Sequence, residues 1–561
     1  MKEMFRRLMS RPGIAAELVV ASFLANMLAL ASPLFVIQVL NRYVSHGVDG
    51  TLITLTTGVI LAVGLEFAFR QVRIALARGI SVGPDEKMSA AGFAVLTGAK
   101  TAALERVPPG VSREVMSGLN AVETAYGAPN IGAVLDVPFA FLYIAVLFLL
   151  NPILAGVAAL FLTGAFLVAT ISLMSLRKPT RAMVHASSGG NNLVGTAVQH
   201  ADTVRAFNAG NFLNMAWVRQ SQMVQGLRAR IVNRQGFVQS LGQTSAALMN
   251  VAIIAVGATL VVKGEMTVGA MIGANILASR ALVPLTRFAQ LGEVFAKARQ
   301  SLNLINEFAR IPVEATTGSA KSKYTGSLEI RDLAFEFTGA SSPLFESVSL
   351  DLTPGSVLLV TGGNSTGKTT LARLLAGVLE PTRGQILADG LDLRQSVPEW
   401  WRRQIMYMPQ EPAFLNATIE ENLRTTNPEI GMERLNELID MVGLRQFLDE
   451  TNKGFDEPVT SNGNSLSLGI RRRLALARAL ATGGQVAIFD EPMEGMDRDG
   501  CAAVSKVMGE LARQGRTIIV ISHDHSIVKG ASVMLDLNAK PVPRITTSPR
   551  PVETNDVAGA S

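Results

Sequence analysis

The sequence predicts a multi-domain chain: an all-α bundle of six membrane spans in its first half, fused to an α/β domain in its second. Three observations predict it. Long apolar runs are confined to the first half of the 561 residues. A glycine-rich loop at 361–367 lies between a β-like run at 356–360 and a helical run at 371–375. Further on, an apolar run at 485–489 reads as a buried strand and ends in two adjacent carboxylates, Asp490 and Glu491. Composition agrees: 48% hydrophobic residues, only 17% charged residues and a mean hydropathy of +0.30 are unusual for a soluble protein.

A helix needs about 20 residues to cross the hydrocarbon core of a bilayer. Six apolar runs suffice: 14–40, 51–69, 131–150, 153–173, 246–262 and 268–285. They form three hairpins, with short turns at 41–50, at Asn151-Pro152 and at Lys263-Gly264-Glu265. The longer segments on the other side carry the cations: Lys2, Arg6, Arg7 and Arg11, then Arg70, Arg73 and Arg78, then Arg177, Lys178, Arg181, Arg219, Arg228, Arg230 and Arg234. Positive charge stays on the cytoplasmic side, so both termini and the second domain are expected in the cytoplasm. Residues 2–11 also resemble the start of a signal peptide with Ala29-Leu30-Ala31 as a cleavage site, but the apolar run continues through Pro33 to Leu40. Glu66 and Asp136 sit within or beside apolar runs, where a charge is costly; a substrate role and simple snorkelling both remain open.

The expected organisation is a cytoplasmic N-terminal segment at 1–12, a transmembrane domain at 13–312, a linker at 313–327 rich in Gly, Ser and Lys, a nucleotide-binding domain at 328–540 and a disordered tail at 541–561. The single cysteine, Cys501, excludes an intramolecular disulfide and a cysteine-based zinc cluster. A net charge of +6, dispersed along the chain, argues against a nucleic-acid partner.

The glycine-rich loop carries the chemistry. In Gly362-Gly363-Asn364-Ser365-Thr366-Gly367-Lys368-Thr369-Thr370, glycines let backbone N–H groups turn inward onto phosphate oxygens, and the following helix adds the positive end of its dipole. Lys368 supplies a point charge, and the Thr369 hydroxyl can hold Mg²⁺. A buried strand delivering Asp490 and Glu491 to its carboxyl end completes the pattern, with Asp490 reaching the cation and Glu491 orienting or deprotonating a water. This combination binds a nucleoside triphosphate.

Downstream spacing is more specific. Tyr407-Met408-Pro409-Gln410, Gly454-Phe455-Asp456, the run from Leu466 to Leu480, Asp490-Glu491-Pro492 and Ile521-Ser522-His523-Asp524 resemble the ordered motifs of ABC transporter ATPase domains. With the membrane half ahead of it, the chain resembles an ABC exporter half-transporter. Its apolar stretches 31–39 and 135–139 are similar to those of type I protein secretion ATPases. The short segment before the first span resembles exporters of substrates with a C-terminal signal, so no cysteine-protease-like domain is expected ahead of the spans.

The resemblance implies that Gln410 senses Mg²⁺ and the attacking water, and that His523 reaches the γ-phosphate. Phe337 would stack on adenine or, as a core aromatic, pack beside Phe335. Segments 113–124 and 196–207 would be cytoplasmic coupling segments or mere extensions of the spans. In an ABC dimer, Ser467 and Gly469 would face the nucleotide of the other subunit. The implied cofactors are ATP and Mg²⁺. The implied partners are a second copy or a paralogue, a periplasmic adaptor, an outer-membrane channel and an unfolded polypeptide exported across the inner membrane. An exporter of lipid, glycan or small peptide, and an ATP-sensing subunit with little hydrolysis, remain as alternatives.

The chain departs from its relatives at the signature, where Leu468 and Ile470 stand in place of glycine and glutamine. Thr460-Ser461 lacks the usual glutamate, and Glu494-Gly495-Met496-Asp497 carries a glutamate where small or polar residues are usual. A side chain at 468 would matter most if its backbone had to be left-handed, at about 1–2 kcal/mol. These departures imply slow hydrolysis from a homodimer, or a partner-dependent rate from a heterodimer.

Overall fold

Without water to satisfy backbone N–H and C=O groups, apolar runs in a membrane fold as helices. The computed structural model describes residues 2–45, 47, 49–175, 177–523 and 531–547. Two compact units emerge: Met1–Ala99 with Ala103–Pro312, and Lys100–Ala102 with Val313–Ser561.

Among the described residues of the first unit, six apolar helices follow in order: α1 (Pro12–Val44), α2 (Asp49–Gly98), α3 (Ala128–Leu150), α4 (Pro152–Ser175), α5 (Gly210–Val262) and α6 (Val268–Phe308). All but α4 are by themselves long and apolar enough to cross a membrane; α4 contributes the apolar part Pro152–Val168. Regular helix breaks within α1 at Ala29-Leu30, just ahead of Pro33, which has no N–H to donate. The helices outrun the apolar stretches. At 50 and 53 residues, α2 and α5 reach about 75–80 Å, far past 51–69 and 246–262. Segment 113–124 lies inside the helix Pro109–Ala125, and 196–207 takes in the end of the helix Arg177–Gln199 and the short helix Ala201–Ala206.

Small residues let the spans approach closely. A Cβ on Gly273 of α6 would stand 2.3 Å from the Ile37 side chain, and one on Gly257 of α5 would stand 2.6 Å from Met271. Both charges flagged inside apolar runs are paired. Asp136 is buried and accepts from Arg73 at 2.6 Å and from Asn26 at 3.1 Å, while Tyr143 donates to Asn26 Oδ1 at 3.1 Å. Glu66 pairs with Arg70 one turn away at 2.7 Å.

Among the described residues the second unit holds ten strands: β1 (Leu328–Phe335), β2 (Phe345–Leu352), β3 (Val357–Thr361), β4 (Arg383–Ala388), β5 (Leu391–Asp392), β6 (Ile405–Met408), β7 (Val486–Asp490), β8 (Thr517–Ile521), β9 (Val533–Asp536) and β10 (Arg544–Thr547). One antiparallel sheet runs β2-β1-β4-β5; the other, in the order β10-β9-β3-β8-β7-β6, is parallel except at its β10 edge. Alternate side chains of β7 and β8 enter two different cores. Ile488, Ile519 and Ile521 pack with Leu371 and Leu375 on one face; Ala487, Phe489, Ile518 and Val520 pack with Leu474 and Val507 on the other. β10 corrects the expectation of a disordered tail from 541: Arg544–Thr547 pair with Val533–Asp536, where backbone hydrogen bonding to an open strand edge outweighs a composition poor in large apolar residues. The remainder, 548–561, lies outside the described residues.

Candidate nucleotide site

Register brings the motifs together. Val360 on β3 pairs with Ile521 on β8, Ile521 with Asp490 on β7, and Phe489 with Met408 on β6. These four parallel strands therefore end along one edge, and the next residues of each are the glycine-rich loop, His523, Glu491 and Gln410. Open α/β sheets bind ligands along this edge.

The loop runs from β3 into α7 (Lys368–Leu375). Its last glycine, Gly367, has φ 104°, and a Cβ there would lie 2.8 Å from Leu344, so only glycine fits. Gly363, Asn364 and Ser365 are exposed. Thr366 donates its hydroxyl to Gly363 O at 2.9 Å, and Gly363 N–H donates to Asn538 Oδ1 at 2.9 Å. Lys368 Nζ donates to Gly362 O at 2.7 Å and lies 3.3 Å from Glu491 Oε1. Thr370 follows within the first turn of α7.

Thr369 donates to Gln410 Oε1 at 3.2 Å. Asp490 is fully buried, and among the described residues neither of its carboxylate oxygens has a hydrogen-bond partner. Burial pushes its carboxyl up from 3.8 to about 6, partly offset by the Thr369 hydroxyl and Lys368. Two orphaned buried oxygens beside a threonine hydroxyl and an amide oxygen are a hard donor set suited to Mg²⁺. Among the described residues no cluster of three or more His, Cys, Asp or Glu side chains could hold a metal by itself.

Glu491 sits just past β7 at φ 48°, a left-handed backbone that costs a non-glycine residue about 1–3 kcal/mol. The conformation aims its carboxylate between Lys368 and His523, whose Nδ1 is 3.0 Å from Glu491 Oε2. An acceptor flanked by a cation and an orienting imidazole can align a water and take its proton.

Three predicted residues stand differently. Phe337 lies two residues beyond β1, whose pairing with β2 ends at Phe335, and is half exposed with its ring edge-on to Phe335 at 5.0 Å. Ser467 and Gly469 belong to the start of α8 (Leu468–Ala481), apart from the glycine-rich loop. The Ser467 hydroxyl caps that helix by accepting from Ile470 N–H at 3.4 Å. Leu468 has helical backbone, so the left-handed strain considered for it does not arise; its exposed side chain reaches Gly495. Ile470 is partly buried against the core that includes Leu474, so an apolar side chain there has a packing role.

Sequence reasoning missed Arg472, Glu494 and Asn538 as members of the site. Buried Arg472 donates to Glu491 O at 3.3 Å, to Gln410 O at 3.2 Å and to the Glu494 carbonyl, and its guanidinium is 3.4 Å from Glu494 Oε2. Gln410 Nε2 donates to Glu494 Oε2 at 3.0 Å, and this bond, with Arg472, holds the Glu494 carboxyl below its usual range. The unusual Glu494 was the available signal; its partner was hidden in the basic run Arg471-Arg472-Arg473.

A glycine-rich loop at the end of β3, with a buried carboxylate and a second carboxylate at the end of β7, in a chain with a helical membrane bundle, is the arrangement of an ATPase that couples hydrolysis to transport. The chain belongs to the ABC transporter family: the ABC transporter transmembrane region matches residues 16–283 and the ABC transporter domain matches residues 345–494. It is an ABC exporter, similar to the leukotoxin export ATP-binding protein LtxB of Aggregatibacter actinomycetemcomitans, at 25% identity over 92% of this chain and 73% of that protein. It is also similar to the alpha-hemolysin translocation ATP-binding protein HlyB of Escherichia coli O157:H7, at 26% identity over 92% of this chain and 74% of the relative. A solved bacterial Atm1-family ABC exporter with ATP bound shares the fold, with a TM-score of 0.81 and 18% identity over 94% of each chain.

Proposed function

We propose that this chain exports an unfolded polypeptide across the inner membrane as part of a type I secretion system, working as a homodimer with a periplasmic adaptor and an outer-membrane channel. One observation supports the substrate class: relatives named for toxin export and translocation align with 92% of the chain. The dense cations beside the cytoplasmic segments support termini and ATPase domain on the inner side.

Each side chain at the strand ends has a role. Lys368 balances charge at the terminal phosphates, and the N-terminus of α7 with the loop N–H groups binds their oxygens. Thr369, Gln410 and Asp490 would hold Mg²⁺, which when bound neutralises phosphate charge and fixes phosphate geometry. Glu491 accepts the proton of the attacking water, and His523 keeps the carboxylate turned toward it. Ser467 and Gly469 would meet the nucleotide of the second copy. Phe337, exposed beyond β1, has the surface to stack on a purine.

The test is ATPase stimulation in lipid nanodiscs. A polypeptide with a C-terminal export signal, kept unfolded, should raise turnover severalfold over the same chain without that signal. Stimulation by lipids or glycans, with none by polypeptide, would reassign the cargo.

A further inference from the structure

We propose that Glu494 is a positioning residue that fixes the amide of Gln410 with its oxygen toward the cation site; this rests on the reading of Gln410 as a Mg²⁺ ligand. An amide has a donor end and an acceptor end, and only the acceptor end can ligate a cation. The Thr369 hydroxyl cannot choose between them, since it both donates and accepts. Ionised Glu494 only accepts, so it draws the Nε2 end to itself at 3.0 Å and leaves Oε1 against Thr369 at 3.2 Å.

Arg472 makes this selection rigid. Its guanidinium stands 3.4 Å from the same Glu494 Oε2, and it donates both to the Glu494 carbonyl and, at 3.2 Å, to the Gln410 carbonyl. Arg472 is buried whereas the Glu494 side chain is 45% exposed, so a buried cation anchors a half-open carboxylate. Thr369, Gln410, Glu494 and Arg472 thus form one chain of polar contacts from the cation site to the interior of α8. The glutamate that departs from the usual small or polar residue has a task here: it sets which atom Gln410 presents.

The measurement is binding of a fluorescent ribose-labelled ATP analogue to the full-length protein, first in EDTA and then at stepped Mg²⁺. Losing a hydrogen bond to a charged acceptor, and with it the order of a flexible glutamine, should raise the Mg²⁺ concentration for half-maximal binding about tenfold in Glu494→Ala. Affinity in EDTA should not change. In Glu494→Gln the Arg472 guanidinium, which only donates, holds the amide oxygen where Glu494 Oε2 stood, so Gln410 Nε2 keeps its acceptor and the Mg²⁺ dependence should remain within about threefold of the unsubstituted protein. In a Gln410→Ala background, Glu494→Ala should add no further loss.

Equal losses from Glu494→Ala in both backgrounds would overturn the proposal, because the carboxylate would then act on the cation directly. A matching loss in EDTA would also overturn it by showing a merely structural role. If Gln410→Ala shifts the Mg²⁺ dependence and Glu494→Ala does not, the proposal alone fails. If Gln410→Ala leaves that dependence unchanged, the metal-ligand reading itself fails.

Discussion

Asp490→Asn should stabilise the nucleotide-free protein at neutral pH while ending Mg²⁺-dependent hydrolysis. The Asp490 carboxylate is fully buried with no hydrogen-bond partner among the described residues, and burial raises its pKa from 3.8 to about 6. A rise of that size corresponds to about 3 kcal/mol favouring unfolding while the group is charged. Asparagine removes the charge but leaves amide N–H groups unpaired, which returns about 1–2 kcal/mol of that gain. A net gain of about 1–2 kcal/mol raises the melting temperature of a domain this size by roughly 2–8 °C. The direction with pH follows from an acid whose folded pKa lies above its unfolded one. The penalty is fully present above about pH 6 and is relieved as pH falls through 6 toward 4, so the advantage of the variant should vanish over that window. The assay is thermal unfolding of the full chain in detergent with EDTA, at pH 7.5 and at pH 4.5. A variant no more stable than the original at pH 7.5, or an advantage independent of pH, would refute the reasoning.

Lys368→Ala should abolish tight Mg-ATP binding, since Lys368 is the cation beside Glu491 in the loop; unchanged binding by equilibrium titration would contradict the loop assignment. Reporters fused after Val44 and Gly264 should lie outside and those after Arg106 and Asn211 inside, and any inversion in an accessibility assay would break the six-span topology. Leu468→Gly with Ile470→Gln should change the ATPase rate of the purified chain by less than about threefold, because Leu468 is unstrained and its N–H remains available. A large gain would show that the altered signature limits turnover.

The architecture was legible because the signals were strong and local: apolar runs of membrane length, and a glycine-rich loop placed between a strand and a helix. Strand ends could be read because Asp490-Glu491 and His523 each follow a short apolar run. Less could be read where tertiary contacts decide. Nothing in Arg471-Arg472-Arg473 says that the middle guanidinium turns inward, since that depends on how α8 packs beneath β6 and β7. Asn538, distant in sequence from Gly363, reaches it only because β9 lies beside β3. Helix length was underestimated because hydropathy marks the membrane and says nothing of how far a helix continues in water. A missing glycine suggests strain at Leu468, yet within the site the left-handed non-glycine backbone falls at Ser365 and Glu491. A residue whose conformation is enforced by strand ending and hydrogen bonding leaves no such mark in composition.

The most direct test of the account is Mg²⁺-dependent ATP hydrolysis by the full-length protein in lipid nanodiscs, compared with Glu491→Gln. The amide keeps the shape of the side chain and loses the basic lone pair, so ATP binding should persist while turnover falls about a hundredfold or more. Equal turnover in the two proteins would remove Glu491 from the reaction and contradict the assignment of this site as the hydrolytic centre.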